Sequence, residues 1–263
     1  MLKKLFLIGI VFMFEILASK IYCQSSSSSS SSSPTNLDGK ILYRNEKDFF
    51  IVIHSEGWGV GYRKGIYNNY KTKSFWELEF VDMCHPKEAK TDNNNFNDAN
   101  SFVYGQLNSL YILRAGAGIR RMLNDKPYWG GVQVSYNYFI GGSLGLARPK
   151  YLEIINFTSI ISPNDSYYLT LERYDPSKHT LSNIYGGGPL FKGFESIKPY
   201  PGIYGKLGFN FEFGEYDETI RALEVGAIFD YYFAEIPMMA YNKYPNYFLS
   251  LYVSVHFGKR YNR

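Results

Sequence analysis

The sequence predicts an all-β chain, a closed antiparallel up-and-down transmembrane β-barrel of about eight strands with long external loops. Three observations carry that expectation. The first is residues 204–213, where Gly205, Leu207, Phe209, Phe211 and Phe213 alternate with Tyr204, Lys206, Gly208, Asn210 and Glu212. Side chains on a strand alternate faces, so one face of this segment is apolar and the other mixed and polar. The second is that the pattern returns twice. Leu223, Val225, Ala227, Phe229, Tyr231 and Phe233 alternate with Ala222, Glu224, Gly226, Ile228, Asp230 and Tyr232, and Leu249, Leu251, Val253, Val255 and Phe257 alternate with Ser250, Tyr252, Ser254 and His256. Each segment is about ten residues long, the span of a tilted membrane-crossing strand. The face opposite the oily one carries ionised groups, the reverse of a barrel with an apolar core. The third is the alternation of short and long connections.

The remaining strands follow in chain order. Met1 to Cys23 has the form of a secretory signal, with Lys3 and Lys4 ahead of an apolar run from Leu5 to Ala18. Cys23 raises lipid attachment, but the bulk of Tyr22 before it argues against that. Residues 24–46 read as a linker, because the unbroken run Ser25 to Ser33 cannot bury enough apolar area to fold. The barrel is expected over 47–260. Its first strand runs near Asp48 to Ser55, with Phe49, Ile51 and Ile53 on one face. The second is near Trp58 to Ile66 and the third from Phe75 to Met83. The fourth spans Gln106 to Arg120. The fifth starts near Tyr128 and runs irregularly to about Phe157. The connections are short at 67–73, 124–127 and 214–219, long at 84–105 and 158–200, and medium at 234–246. Outer-membrane barrels have short periplasmic turns and longer external loops, so the short set is expected on the periplasmic side.

Composition narrows the class. Aromatic residues are 18% of the 263, led by 25 Tyr, and Gly numbers 24, which suits aromatic girdles and closely packed strands. The formal charge of +4 comes with no basic block, so no nucleic-acid partner is expected. With the leader removed, Cys84 is left alone and no intrachain disulfide forms; it reads as a small buried hydrophobe.

Alternation places Arg63, Arg114, Arg120 and Lys206 inside the barrel, opposite Glu77, Glu79, Glu212, Glu224 and Asp230. Eight strands leave a lumen that side chains just fill. Buried charge must be paired, so the expectation is an ion-pair network and no constitutive pore. Ser254 with His256, and His54 with Ser55 and Glu56, raise nucleophilic catalysis. Neighbouring residues on a strand point to opposite faces, and neither pair has an orienting carboxylate by spacing. Gly57, Gly59 and Gly61 are followed by no helix, so strand packing explains them better than a phosphate loop. His85 and His179 lack metal-ligand spacing, and no metal or cofactor is expected. Trp58, Trp76 and Trp129 fall near strand ends, where interfacial belts form.

The segments FVDMCHPKEAK (80–90), YGQLNSLYILRAGAG (104–118), NIYGGGPLFKGFESIKPYPGIYGKLGFNFEFGEYD (183–217) and HFGKR (256–260) together resemble uncharacterised outer-membrane β-barrel proteins of Bacteroidota. The resemblance covers about Lys47 to Arg260. It implies a Gram-negative outer-membrane location, contact with outer-membrane lipid, and insertion by the barrel assembly machinery. It brings no catalytic residues. The functional expectation is a structural or partner-binding barrel in the cell envelope, with the long connections meeting another envelope protein. The alternatives are a lipid- or glycan-modifying enzyme and a narrow small-solute channel.

Overall fold

The computed structural model describes residues 43–93, 100–125, 131–157, 167–189, 191–214 and 218–262. The signal segment 1–23, most of the linker and Trp129 lie outside the described residues. Eight strands form the wall: β1 (Asn45–His54), β2 (Gly57–Asn69), β3 (Thr72–Met83), β4 (Asn108–Asn124), β5 (Gln133–Pro149), β6 (Lys198–Glu212), β7 (Thr219–Tyr232) and β8 (Tyr247–Tyr261). Each pairs antiparallel with its sequence neighbours, and β1 pairs with β8 from Asn45↔Tyr261 to His54↔Tyr252, so the sheet closes on itself. Closure leaves no edge, the one way a sheet can satisfy its backbone in hydrocarbon.

The alternation read from sequence sets the two faces. In β1 the even residues Glu46, Asp48, Phe50, Val52 and His54 are buried, while Phe49, Ile51 and Ile53 are exposed. Ile140, Leu207, Leu249 and Leu251 stand out from the wall in the same way, Ile140 at 72% exposure. Twelve residues of β3 rise about 40 Å, or about 28 Å along the axis at a 45° tilt, close to the height of a lipid-facing band. Aromatic pairs reinforce the outside: Tyr62 meets Phe49 at 4.9 Å and Trp76 at 5.5 Å between ring centroids. Glycines serve the inside. A Cβ on Gly61 would collide with the Phe50 ring, and one on Gly59 would come within 2.8 Å of Val81. Close packing accounts for these glycines.

Several boundaries differ from the sequence reading, among them the start of β6 at Lys198, inside the connection expected over 158–200. The turn expected at 67–73 is only Tyr70–Lys71, because both strands continue through their polar ends. β4 runs on to Asn124 rather than stopping at Arg120. β5 stops at Pro149, whose ring nitrogen has no hydrogen to donate to a ladder. Tyr151–Phe157 instead forms the centre of a separate three-stranded sheet, between Ile184–Gly187 and Tyr167–Arg173.

All long connections lie at one end of the barrel, with the β1–β2 hairpin. The segment after β7 folds back into that mouth. Leu107 N–H donates to Met238 O at 2.9 Å, and Ala240 N–H donates to Gly105 O at 2.7 Å. These bonds hold Ile236, Met238 and Met239 against Val81, Met83, Leu110, Ile112, Tyr232 and Phe248 in one buried apolar cluster. Tyr241 has φ 61°, a left-handed turn uncommon for a bulky residue, and the chain leaves the mouth there. Above it, Phe102, Leu152, Ile154, Tyr174, Ile184 and Ala240 form a second buried cluster, beneath the small sheet.

Candidate functional site

Polar chemistry in this molecule concentrates in the lumen. The strands position it because every second residue points inward and neighbouring strands place those residues at matching heights. Three tiers result.

The lowest tier centres on Glu46. It accepts from Lys73 Nζ at 2.7 Å and Arg260 Nε at 3.3 Å, with Arg120 at 3.5 Å. Arg260 also donates to Glu212 at 2.6 Å. The middle tier centres on Arg63, whose guanidinium spans Glu77 at 2.8 Å and Glu224 at 2.9 Å. Tyr252 donates to Glu224 at 2.8 Å and Tyr204 to Glu77 at 3.1 Å. The guanidinium carbon sits 4.4 Å from the Phe139 ring centroid and 5.1 Å from that of Phe50. The upper tier joins Arg114 to Asp230 at 2.7 Å and to Glu79, while Lys206 donates to Glu79 at 2.8 Å. Arg114 and Arg63 each meet two carboxylates, which suits a planar fork of five donors.

The nine side chains singled out in the sequence, Arg63, Glu77, Glu79, Arg114, Arg120, Lys206, Glu212, Glu224 and Asp230, are all buried, and each contacts an opposite charge. Sequence reasoning missed Glu46, Lys73 and Arg260. Glu46 fell in the expected linker, Lys73 in an expected turn, and Arg260 within the expected barrel but beyond Phe257, the last residue of the alternating run. Their in-register parity with Asp48, Phe75 and His256 was the available signal.

The second miss concerns His256. Its ring lies between Ser254 Oγ, 3.0 Å from Nε2, and Asp48 Oδ2, 3.3 Å from Nδ1. The orienting carboxylate that spacing denied is supplied across the sheet, since Phe50 pairs with His256 and Asp48 follows on the same face. The order of contacts is that of a serine–histidine–aspartate relay. All three side chains are enclosed, however, and Glu224 lies 3.6 Å from Nε2. Phe50 stacks on the imidazole at 4.8 Å. His54, at the other end of β1, points inward to 3.5 Å from Glu79, whereas Ser55 is in the exposed hairpin turn. These two do not meet.

Outside the wall, His179 Nε2 lies 3.3 Å from Glu172 and His85 takes a hydrogen bond from Lys87 N–H. Among the described residues no three His, Cys, Asp or Glu side chains gather as metal ligands. Trp58 and Trp76 are both exposed on the barrel exterior.

Comparison with known proteins gives fold-level likeness only. The chain matches no family model, and no curated protein matches it in sequence. Among solved structures it is similar to Neisserial surface protein A, with 8% identity, a TM-score of 0.39, and coverage of 83% of this chain and 97% of that one. It is also similar to Ail, the attachment invasion locus protein of Yersinia pestis, in complex with the heparin analogue sucrose octasulfate, with 10% identity, a TM-score of 0.37 and the same coverages. A third is the N-terminal β-barrel domain of Pseudomonas aeruginosa OprF, with 9% identity, a TM-score of 0.32, and coverage of 82% of this chain and 97% of that one. The assignment rests on this chain's own strand order: eight antiparallel strands, closed, apolar outside and ionic inside, which is the outer-membrane barrel type.

Proposed function

We propose that this chain is an outer-membrane barrel with a structural or partner-binding role in the cell envelope, and that its external layer is the interaction surface. The observation that carries the reading is the division of labour along the axis. The lumen is filled with paired charge and capped by Ile236, Met238 and Met239. The external layer, by contrast, has its own hydrogen-bonded sheet and exposes large apolar side chains, among them Phe191 at 87% and Tyr241 at 81%. Long ordered loops on a rigid scaffold are where binding residues concentrate. The sequence resemblance to barrels of Bacteroidota supplies the envelope context, with insertion by the barrel assembly machinery and the short turns in the periplasm.

The test is to replace residues 151–197 by a short hairpin and crosslink intact cells. A barrel that still shifts on a gel upon boiling, but has lost its crosslinked partners, supports the reading. An unchanged set of partners sinks it.

One observation favours a second reading, a lipid- or glycan-modifying enzyme: the Asp48–His256–Ser254 contact chain. Its Ser254 hydroxyl has no exposed surface to offer an acyl group. Lipid A profiles by mass spectrometry from Ser254→Ala, His256→Ala and His54→Ala cells decide it, and any altered acyl pattern would revive the enzyme.

A further inference from the structure

The small external sheet has one edge covered and the other open. Beyond Ile184–Gly187, Asn93 Nδ2 donates to Ile184 O at 2.7 Å and Gly187 N–H donates to Asn100 O at 3.0 Å. On the opposite edge, Tyr167–Arg173 pairs with Tyr151–Phe157 and, among the described residues, with no other strand.

The direction of its free backbone groups can be worked out. Ile155 N–H donates to Asn183 O at 2.9 Å and Gly188 N–H donates to Tyr151 O at 3.0 Å, so Tyr151 and Ile155 bond toward the covered edge, and Leu152, Ile154 and Asn156 bond toward their partners Glu172, Thr170 and Tyr168. Antiparallel pairs alternate between bonded and non-bonded. Residues 168, 170 and 172 therefore turn their N–H and C=O groups toward Tyr151–Phe157. Leu169, Leu171 and Arg173 turn theirs outward, to the open edge. Leu169 and Leu171 are also 42% and 39% exposed, with Tyr168 beside them. An edge that is both apolar and unpaired is a template for another strand.

The sequence of this edge says which strand fits. Leu169-Thr170-Leu171 reads the same in both directions. We infer that Tyr167–Arg173 pairs antiparallel with the same strand of a second copy of this chain, about a two-fold axis through Thr170. In that register Leu169 of each copy lies opposite Leu171 of the other. Both are outward-bonding residues, so each opposed leucine pair exchanges two hydrogen bonds, about four from the leucines. Glu172 falls opposite Tyr168 and Arg173 opposite Tyr167, so no like charges meet. Sliding the axis to Leu171 would set Arg173 against Leu169 and lose the match. This names the partner within the partner-binding reading, on which it rests. One strand pair is small for a stable interface, so the association is weak in dilute solution and is best trapped covalently.

The axis residue gives the trap. Thr170 would face its own copy as a non-bonded pair, with Cα atoms about 4.5 Å apart, within disulfide range. The experiment uses full-length barrel with Cys84→Ser and Cys23→Ser, purified in mild detergent, which leaves the relative orientation of two copies free. Under copper-phenanthroline oxidation, Thr170→Cys should give a disulfide dimer several-fold faster than Ser182→Cys, an exposed control in the same connection. Adding Leu169→Lys and Leu171→Lys should abolish that dimer while the heat-induced gel shift of the barrel is retained. Equal dimer yields from Thr170→Cys and Ser182→Cys overturn the proposal. So does capture of a foreign protein through Thr170→Cys in membranes with no dimer in purified material; that outcome would leave the broader partner-binding reading standing.

Discussion

Around Arg63 the inside of the barrel is ionic, and around Met238 it is apolar, although one closed wall surrounds both. The contrast is one of origin. The charged tiers are built by the wall itself from alternate residues of seven of the eight strands, β5 adding only the Phe139 ring, and every member needs its partners. The apolar mouth is built by a returning loop, and its parts are interchangeable in kind. An ion pair taken out of water carries a desolvation cost that its attraction only offsets when geometry is good. Apolar contacts at the mouth carry no such cost and keep water from the charges below. The two regions should therefore fail differently when a side chain is removed.

The largest effect is expected at Glu224. It accepts from Arg63, from Arg120 at 3.4 Å and from Tyr252. Glu224→Ala leaves two guanidinium groups without that carboxylate, and breaking a buried pair from one side costs about 3–5 kcal/mol. Urea titration of the barrel folded into lipid vesicles measures it. A loss under about 1 kcal/mol, the scale of a surface pair, would show that the middle tier is hydrated and screened.

The mouth should respond less. Met238→Ala removes a buried side chain from the cap and is expected to cost about 2–4 kcal/mol, the range for truncating a large core residue. The comparison sharpens if Arg63 and Glu224 are then changed together to Met and Leu. That double change should recover part of the loss from Glu224→Ala, because the apolar fill needs no partner while Glu77 keeps Lys206 at 3.5 Å and Arg120 keeps Glu46 at 3.5 Å. An unrecovered loss would mean that the charges also fix the register of the wall.

How much of this was legible in the sequence follows the same divide. The wall was legible because a period of two survives in any strand that separates lipid from a polar interior, and residues such as Phe209 and Glu224 announce their faces. Strand ends were not, since Glu46, Lys73 and Arg260 stand in polar surroundings where alternation has no apolar partner to mark it. The cap was hidden for a different reason. Ile236, Met238 and Met239 make a short apolar run inside a connection, and their destination depends on backbone bonds to Gly105 and Leu107, far away in sequence. The relay of Asp48 to His256 was hidden in the same way, by pairing between the first and last strands.

Ser254 offers a smaller effect that separates chemistry from structure. Its hydroxyl lies 3.0 Å from His256 Nε2 in a fully enclosed position. Ser254→Ala should cost about 1 kcal/mol, the net worth of one hydrogen bond, with no change in envelope lipids. Ser254→Cys keeps a weak donor and should fall between the two.

The smallest effect sits where wall and external layer meet. Cys84 follows the last residue of β3, and its N–H donates to Glu56 O at 2.6 Å, tying it to the β1–β2 hairpin. Burial pushes its thiol up to about 11, helped by the carboxylates of Glu88 and Asp82. Only the thiolate attacks an alkylating reagent. At pH 8 the thiolate fraction is then about 100-fold below that of an ordinary thiol, and it climbs steadily toward pH 11. In protein produced without residues 1–23, iodoacetamide labelling should follow that curve with no change in stability. A rate at pH 8 equal to that of free cysteine would mean that the Glu56–Cys84 junction opens readily, and that the external layer is less tightly joined to the wall than its hydrogen bonds imply.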